Sequence, residues 1–121
     1  MGINSFRDLK VYRKAYQCHM DIHNISMGFP KFEMYELGSQ IRRSSNSVPA
    51  NIAEGWNNKH VNIYLETINR AIGEALETRH HLGVSLAKEY INKEKFTELD
   101  QAYEEIIKML YGLRNALEKR R

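Results

Sequence analysis

The residues of this 121-residue chain that could do metal or acid–base chemistry are a few histidines and carboxylates. His19 and His23 are four residues apart, which places both imidazoles on one face of a helix. A zinc site needs three or four protein ligands, and the sequence offers no third ligand at a suitable spacing from this pair. We therefore interpret both histidines as packed or interfacial side chains and predict no metal there.

A second constellation, Glu77 followed by His80, matches half of the signature of a di-iron helical bundle. That chemistry needs the motif on two helices and one further glutamate from each of the other two. Neither Glu54 nor Glu66 is followed by a histidine three positions later, so the second copy is missing. The alternative hypothesis for function is nevertheless a metal-dependent helical-bundle enzyme, which would use His19, His23, Glu77 and His80.

Nucleophilic catalysis has weaker support in the sequence. Cys18 is the single cysteine, no local signature pairs it with a histidine, and such residues are typically small core side chains. A lone cysteine also excludes an internal disulfide and suits a reducing compartment, which predicts a cytoplasmic location. The serines between positions 39 and 47 form no nucleophile elbow, and the glycines gather in no phosphate-binding loop. No catalytic residue and no cofactor are predicted.

Basic residues outnumber acidic residues by 18 to 15, which gives a net charge of +3. One protomer therefore lacks the strongly basic surface typical of nucleic-acid-binding proteins. Arginine is suited to bidentate contacts with phosphate, however, and a symmetric oligomer would repeat any basic patch. The sequence thus indicates RNA or DNA as a candidate partner, with these candidate binding residues: Lys10, Arg13, Lys14, Arg42 and Arg43.

Helical segments must position these side chains. No segment alternates as a strand would, and apolar residues recur at helical steps over residues 6–27, 33–56, 60–89 and 93–118. Short connections between four helices predict an all-α protein, an antiparallel up-down-up-down four-helix bundle that forms one domain over residues 1–121. Pro49 lies inside the second segment and predicts a kink in that helix.

The fourth segment has the most regular pattern, with apolar residues at alternating four- and three-residue steps. Asn92 precedes this segment and is predicted to cap it. The pattern is a heptad seam, which predicts that one side of the helix faces the core along its length. The seam residues are Leu99, Tyr103, Ile106, Leu110, Leu113 and Leu117.

Apolar side chains occupy about 200° of the first segment, a wider sector than the ~100° stripe that a single core requires. Tyr12, Tyr16, His19 and His23 lie within this sector. A helix of this kind needs two neighbours, one inside the fold and one outside it, which predicts self-assembly. No apolar run approaches the ~18 residues of a membrane span, so no membrane partner is predicted.

Four further residues carry local predictions. Arg79 falls within the apolar stripe of the third segment, so its guanidinium is expected either to reach solvent or to meet a carboxylate at an interface. His81 is expected on the wet side of the same helix. Asn51 is predicted to bond to the carbonyl that Pro49 frees, and Gly55 is predicted to end the second helix by tolerating positive φ.

Several blocks of sequence are more specific than a generic bundle. They are FRDLKVY at residues 6–12, FP at 29–30, LGSQIRRSS at 37–45 and SVPANIAEG at 47–55. Together they resemble the 23S rRNA intervening-sequence protein family. The resemblance implies an antiparallel four-helix bundle that assembles into a homopentameric ring, with no established catalytic residues to carry over.

A related bundle, the accessory protein of diversity-generating retroelements, binds nucleic acid and a reverse transcriptase. The resemblance therefore implies a non-enzymatic, self-assembling binding or scaffold protein. Its expected partners are copies of itself and, beyond them, RNA, DNA or an enzyme that acts on nucleic acid.

Overall fold

The computed structural model describes residues 2–121, and the regular structure in that part of the chain is entirely helical. Single 3-10 turns, Phe6–Asp8 and Lys31–Glu33, precede the first and second helices. The four helices are α1 (Lys10–Ser26), α2 (Leu37–Gly55), α3 (Val61–Ala87) and α4 (Lys93–Glu118). The prediction of an all-α protein with four helices is confirmed.

The helices surround one core. Each helix packs against its neighbour in sequence, and α4 packs against α1. The α-carbons of the diagonal pairs, α1 with α3 and α2 with α4, stay more than 8 Å apart in the described chain. Apolar side chains fill the space between them, and the largest that are fully buried are Ile22, Ile41, Ile52, Ile68, Leu82, Tyr103, Ile106 and Leu110. Among the described residues, no helix combines the length and apolar character that crossing a bilayer requires.

The first helix begins later than predicted because a capped turn precedes it. The Oγ atom of Ser5 accepts a hydrogen bond from the amide of Arg7 (3.0 Å), and the Asp8 carboxylate accepts one from the amide of Ser5 (3.1 Å). This reciprocal capping box closes the turn Phe6–Asp8. Leu9 then adopts an extended conformation, so α1 starts only after it.

Pro49 is buried inside α2, which runs as one element from Leu37 to Gly55. The side-chain amide of Asn51 donates through Nδ2 to the backbone carbonyl of Ser47 at 2.8 Å. The carbonyl that Pro49 leaves without a helical donor belongs to Ser45, six residues and about 9 Å of helix before Asn51. The prediction for Asn51 is therefore wrong, because its short side chain reaches back only one turn.

Helices α2 and α3 approach closely where Gly55 ends α2. The φ angle of Gly55 is not positive, so the predicted reason for a glycine here is wrong. A β-carbon at this position would overlap the hydroxyl of Thr67 on α3, which is buried and donates to the carbonyl of Tyr64 (2.7 Å). Glycine is needed for this close contact, and the positive φ (55°) belongs to Asn57 in the following turn.

The heptad seam of α4 is confirmed as a core surface. Asn92 caps the helix, since its Oδ1 atom accepts a hydrogen bond from the amide of Lys95 at 2.7 Å. Leu113 is partly buried, and the other five seam residues are buried: Leu99, Tyr103, Ile106, Leu110 and Leu117. Burial raises the pKa of Tyr103, whose hydroxyl has no hydrogen-bond partner among the described residues.

Two polar residues of α3 lie where α2 and α4 flank it. Arg79 donates through Nε and Nη2 to the two oxygens of Asp100 on α4 (2.9 and 3.1 Å), so it meets a carboxylate within its own chain. His81 is buried, contrary to the prediction, and its Nε2 atom lies 3.1 Å from Glu77. Because α3 packs against two helices, its buried sector is wider than its apolar stripe.

Candidate interface on the first helix

Helix α1 covers the core with only one of its two apolar sides. Val11, Ala15, Cys18 and Ile22 face the core and are buried. Tyr16, Met20 and Met27 remain 48%, 39% and 53% exposed. These three belong to a continuous stripe with spacings of three and four residues, which we call the α1 outer face: Tyr12, Tyr16, His19, Met20, His23 and Met27.

The two histidines of the α1 outer face are near neighbours, with ring centroids 6.3 Å apart. A hydrogen bond of 2.8 Å joins Nδ1 of His19 to the hydroxyl of Ser45 on α2. Burial and the neighbouring His23 lower the pKa of His19, which keeps this imidazole neutral at pH 7. Within residues 2–121, no three His, Cys, Asp or Glu side chains lie together as metal ligands would.

The environments of Cys18 and Glu77, the other buried or partly buried residues considered for catalysis, fit a role in packing and hydrogen bonding. Burial raises the pKa of the Cys18 thiol to about 11, so the thiolate that nucleophilic chemistry requires is scarce at neutral pH. Glu77 accepts hydrogen bonds from Arg43 and from His81. Burial opposes ionisation of Glu77, but these two hydrogen bonds lower its pKa overall. His80, the second half of the predicted motif, is exposed.

A groove with aromatic and basic walls lies at the amino-terminal end of the α1 outer face. The ring centroids of Tyr12 and Tyr16 are 6.0 Å apart, and those of Phe6 and Tyr12 are 4.9 Å apart with the two rings nearly perpendicular. The guanidinium of Arg7 lies 4.6 Å above the ring of Phe6. This N-terminal groove has a volume of about 490 Å³ and is lined by Arg7, Tyr12, Arg13, Tyr16 and Gln17.

The predicted nucleic-acid-binding residues of α1 lie in its first turns, and one of them, Arg13, lines this groove. Arg13 donates to the carbonyls of Arg7 (3.3 Å) and Asp8 (2.7 Å), and Lys14 forms an ion pair with Glu105 on α4 (3.2 Å). Lys10 is exposed and has no side-chain partner among the described residues. The structure therefore brings three predicted cations together, of which Lys10 is the one open to an external anion.

The other two predicted nucleic-acid-binding residues lie on α2 and are engaged within the chain. Arg42 donates to the carbonyl of Met34 (2.7 Å) and to the hydroxyl of Ser26 (3.0 Å). Arg43 binds the carboxylates of Glu77 and Glu74 on α3, which raise its pKa. Arg42 and Arg43 therefore do not form, together with the basic residues of α1, one cluster of cations that are free of intramolecular partners.

A surface that the sequence analysis did not predict lies in the connection between α1 and α2. Phe32 and Tyr35 are 69% and 86% exposed there, in a segment that we call the aromatic turn, residues 31–36. The sequence signal is the presence of large aromatic side chains in a connection too short to bury them. Such exposure on a folded chain indicates a contact surface.

A buried carboxylate anchors the aromatic turn. Glu33 is 1% exposed and accepts hydrogen bonds from Lys88 (2.9 Å), the hydroxyl of Tyr90 (2.8 Å) and the amide of Leu37 (3.3 Å). The hydrogen bonds from Lys88 and Tyr90 lower the pKa of Glu33, and Glu33 in turn raises the pKa of Lys88. The turn is therefore held firmly against the end of α3.

The structure is that of an all-helical protein in which one side of α1 packs on the core and the other side leaves Tyr16, Met20 and Met27 exposed. The matching family model is described as 23S rRNA-intervening sequence protein and spans residues 7–112. The chain belongs to this family, as its sequence blocks predicted. A solved structure similar to this chain is a protein with unknown function from the S23 ribosomal protein family of Bacteroides thetaiotaomicron. The two are 26% identical with a TM-score of 0.80, over 87% of this chain and 95% of that one. A search of curated proteins gives no match.

Proposed function

We propose that this protein is a non-enzymatic, self-assembling four-helix-bundle module that serves as a binding or scaffold protein. The exposure of Tyr16, Met20 and Met27 along the α1 outer face carries this proposal. Contiguous exposed apolar side chains are typical of protein–protein contact surfaces. Copies of the same chain are the partners that are always present with it, and a homopentameric ring is the assembly that the family resemblance implies.

The magnitude of the apolar contribution supports self-assembly. Burying a fully exposed large apolar side chain contributes about 1.5–3 kcal/mol. Because Tyr16, Met20 and Met27 are each only about half exposed, covering them contributes roughly 2–4 kcal/mol from each copy. Association costs on the order of 4–15 kcal/mol in lost freedom of motion. The α1 outer face is therefore of the right size to support association when additional contacts flank it.

We infer further that the four helices run antiparallel in an up-down-up-down order and that α2 bends at Pro49. Contacts between neighbouring helices support the first inference, since residue numbers rise along one helix as they fall along the next. The pairs that follow this order are Ser26–Arg42 and His19–Ser45, Arg43–Glu77 and Gly55–Thr67, Arg79–Asp100 and Asn69–Arg114, and Lys14–Glu105 and Asp21–Lys95.

Light scattering of purified protein tests the assembly. We expect wild type at micromolar concentration to have several times the mass of the 14.2 kDa chain. The double substitution Tyr16→Glu with Met20→Glu places charge on the α1 outer face and is expected to give monomers. The matched control, Gln101→Glu with Asn115→Glu, adds the same charge at exposed polar positions of α4 and should assemble like wild type. A monomeric wild type would refute the proposal.

A second candidate function is binding of RNA or DNA, or of an enzyme that acts on them. The basic end of α1 favours it, because Lys10 is open to an external phosphate and a ring would repeat the charge of every copy. Four of the five predicted cations already bind groups within the chain, so this function relies mainly on Lys10. The cytoplasmic location indicated by the single cysteine stays a prediction.

A salt titration tests nucleic-acid binding. Binding of single-stranded and duplex oligonucleotides is expected to weaken steeply as salt is raised, because phosphate contacts release counterions. Lys10→Glu should weaken binding, whereas Lys108→Glu on the exposed side of α4 should leave it nearly unchanged. Absence of binding at low ionic strength would remove this function.

A further inference from the structure

Two surfaces at opposite ends of α1 are complementary. The N-terminal groove lies beside the first turns of α1, and the aromatic turn follows its last turn. The groove extends along α1 to Gln17, and the remaining nine residues to Ser26 span about 14 Å, which is farther than the side chains of the anchored turn can reach within their own chain. A contact between these two surfaces must join different copies.

The aromatic turn is a preorganised projection. Phe32 and Tyr35 point into solvent, while Glu33 between them is buried in its hydrogen bonds to Lys88 and Tyr90. A second anchor comes from α2, where Arg42 donates a hydrogen bond of 2.7 Å to the carbonyl of Met34. Because these anchors already restrict the backbone, little freedom remains to be lost when the two aromatic rings are covered.

The N-terminal groove has the chemistry that aromatic guests need. The faces of Tyr12 and Tyr16 offer stacking partners, and Arg7 and Arg13 offer cations that can lie over an aromatic ring. The groove end is also basic, whereas the exposed carboxylate of Glu36 follows Tyr35 directly on the turn. The two surfaces therefore match in aromatic character, and the exposed carboxylate of Glu36 lies at the Tyr35 end of the turn, away from the exposed cation of Lys31 at the other end.

We propose that the aromatic turn of one copy inserts Phe32 and Tyr35 into the N-terminal groove of a second copy. Glu36 then faces the guanidinium group of Arg7 on that second copy, because Arg13 already donates to carbonyls of its own chain. This inference rests on the proposed self-assembly and specifies which surfaces meet. In a ring, every copy presents its turn to one neighbour and its groove to the other, which is the head-to-tail contact that closed rings require.

The area involved fits this contact. Two aromatic side chains bury about 300–500 Å² together, and the groove walls bury a similar area. The total of roughly 600–1,000 Å² is below the ~1,200 Å² of a stable interface. The adjoining α1 outer face supplies the remainder, since Met27 and Tyr16 continue it to the two contact surfaces.

Two variants remove the two sides of the contact separately. The turn variant, Phe32→Ser with Tyr35→Ser, removes the two aromatic side chains that would insert, and its control is Lys59→Ser at an exposed position of the connection before α3. The groove variant, Gln17→Trp, fills the groove with an indole, and its control is Gln17→Ala, which leaves it open. The substituted positions are exposed, so circular dichroism is expected to remain that of the folded wild type. We expect each variant to self-associate at least about tenfold more weakly than wild type, and each control to behave like wild type.

Mixing the two variants provides the decisive measurement. The turn variant keeps an intact groove and the groove variant keeps an intact turn, so an equimolar mixture is expected to form heterodimers visible by light scattering. If both variants assemble like wild type, or if both lose assembly and mixing does not restore it, the contact is wrong while self-assembly stands. A monomeric wild type would instead remove the proposed function itself. Loss of oligonucleotide binding by the groove variant, with assembly unchanged, would assign the groove to nucleic acid and overturn the contact.

Discussion

Among single residues, Glu33 has the greatest influence on the presentation of the aromatic turn. Its carboxylate is buried and bound by Lys88 and Tyr90, which come from the far end of α3 and the segment after it. A buried carboxylate is favourable only when such partners satisfy it, because its desolvation is costly. The turn therefore depends on one ionised group being satisfied by residues more than fifty positions away.

We predict that Glu33→Gln lowers the stability of the protein, because the amide replaces two charge-assisted hydrogen bonds with weaker ones. Urea denaturation at pH 7 should give a lower midpoint for this variant than for wild type. The pKa of Glu33 lies below its ordinary value of 4.5, so the advantage of wild type is complete above that pH. It should vanish as the pH falls through the lower folded pKa. Equal midpoints at neutral pH would contradict the prediction, and Glu54→Gln at an exposed position of α2 is the control.

Two glycines of the same chain should respond oppositely to alanine. Gly55→Ala places a methyl group on Thr67 and is expected to destabilise the protein by about 3 kcal/mol. Gly73→Ala meets no neighbour on the exposed side of α3 and should stabilise the helix by about 0.5–1 kcal/mol. The free energy of unfolding in urea measures both changes. Adding Thr67→Ala to Gly55→Ala should recover part of the loss, and no recovery would mean that the contact is misassigned.

At the scale of elements, α4 contains one polar atom in an otherwise apolar seam. The hydroxyl of Tyr103 is buried without a hydrogen-bond partner among the described residues. An unsatisfied buried hydroxyl opposes folding because it loses its hydrogen bonds to water. The ring of Tyr103 nevertheless fills the centre of the seam, where it is 0% exposed.

We predict that Tyr103→Phe raises the free energy of unfolding by about 1 kcal/mol, because the ring is kept and the unsatisfied hydroxyl is removed. Guanidinium denaturation followed by circular dichroism measures the change. Tyr111→Phe, at a more exposed position of α4, should be nearly neutral. Destabilisation by Tyr103→Phe would show that a bound water or another partner satisfies the hydroxyl.

Helix α1 differs from the other three elements in what it leaves uncovered. Its inner face contributes Val11, Ala15, Cys18 and Ile22 to the core, as a bundle helix must. Its outer face also contains large apolar side chains and is covered only in part: Phe6 contacts Tyr12 and Ser45 bonds to His19, while Tyr16, Met20 and Met27 stay exposed. An amphipathic helix of a monomer places polar residues on that side. The departure is local to α1 and its two flanking turns, which supports an interface concentrated there.

At the scale of the whole molecule, self-assembly should depend on pH. His19 lies in the α1 outer face, and burial together with the neighbouring His23 already lowers its pKa below the ordinary value of 6.5. A second copy would bury this imidazole further and disfavour its charged form. The partner of its Nδ1 atom is the hydroxyl of Ser45 on α2, which is uncharged. A positive charge on His19 is therefore not offset by a hydrogen-bonded carboxylate.

We therefore predict that self-association weakens as the pH falls through the pKa of His19 in the free protomer, which itself lies below 6.5, by about tenfold for each pKa unit of additional depression in the assembly. Sedimentation equilibrium at constant ionic strength measures this change. His19→Gln should reduce the pH dependence, whereas His60→Gln, on the exposed connection before α3, should preserve it. Stronger association in acid would be inconsistent with an interface that buries His19.

Patterns within a few turns of helix were sufficient to predict much of the fold. The number of helices, the core seam of α4 and the cap by Asn92 follow from the spacing of nearby residues, and the structure agrees with all three. The family assignment likewise follows from contiguous blocks such as residues 47–55. These features are local because a side chain's direction on a helix depends only on its position along that helix.

The partners of individual side chains were decided by the tertiary structure. Burial of Glu33, the close approach at Gly55, and engagement of Arg42 and Arg43 all depend on segments that are distant in sequence. The same holds for His81: its position along α3 predicted exposure to solvent, but the packing of α3 against its neighbours buries it. Periodicity determines which face of a helix is apolar, but what covers that face depends on how the helices pack together.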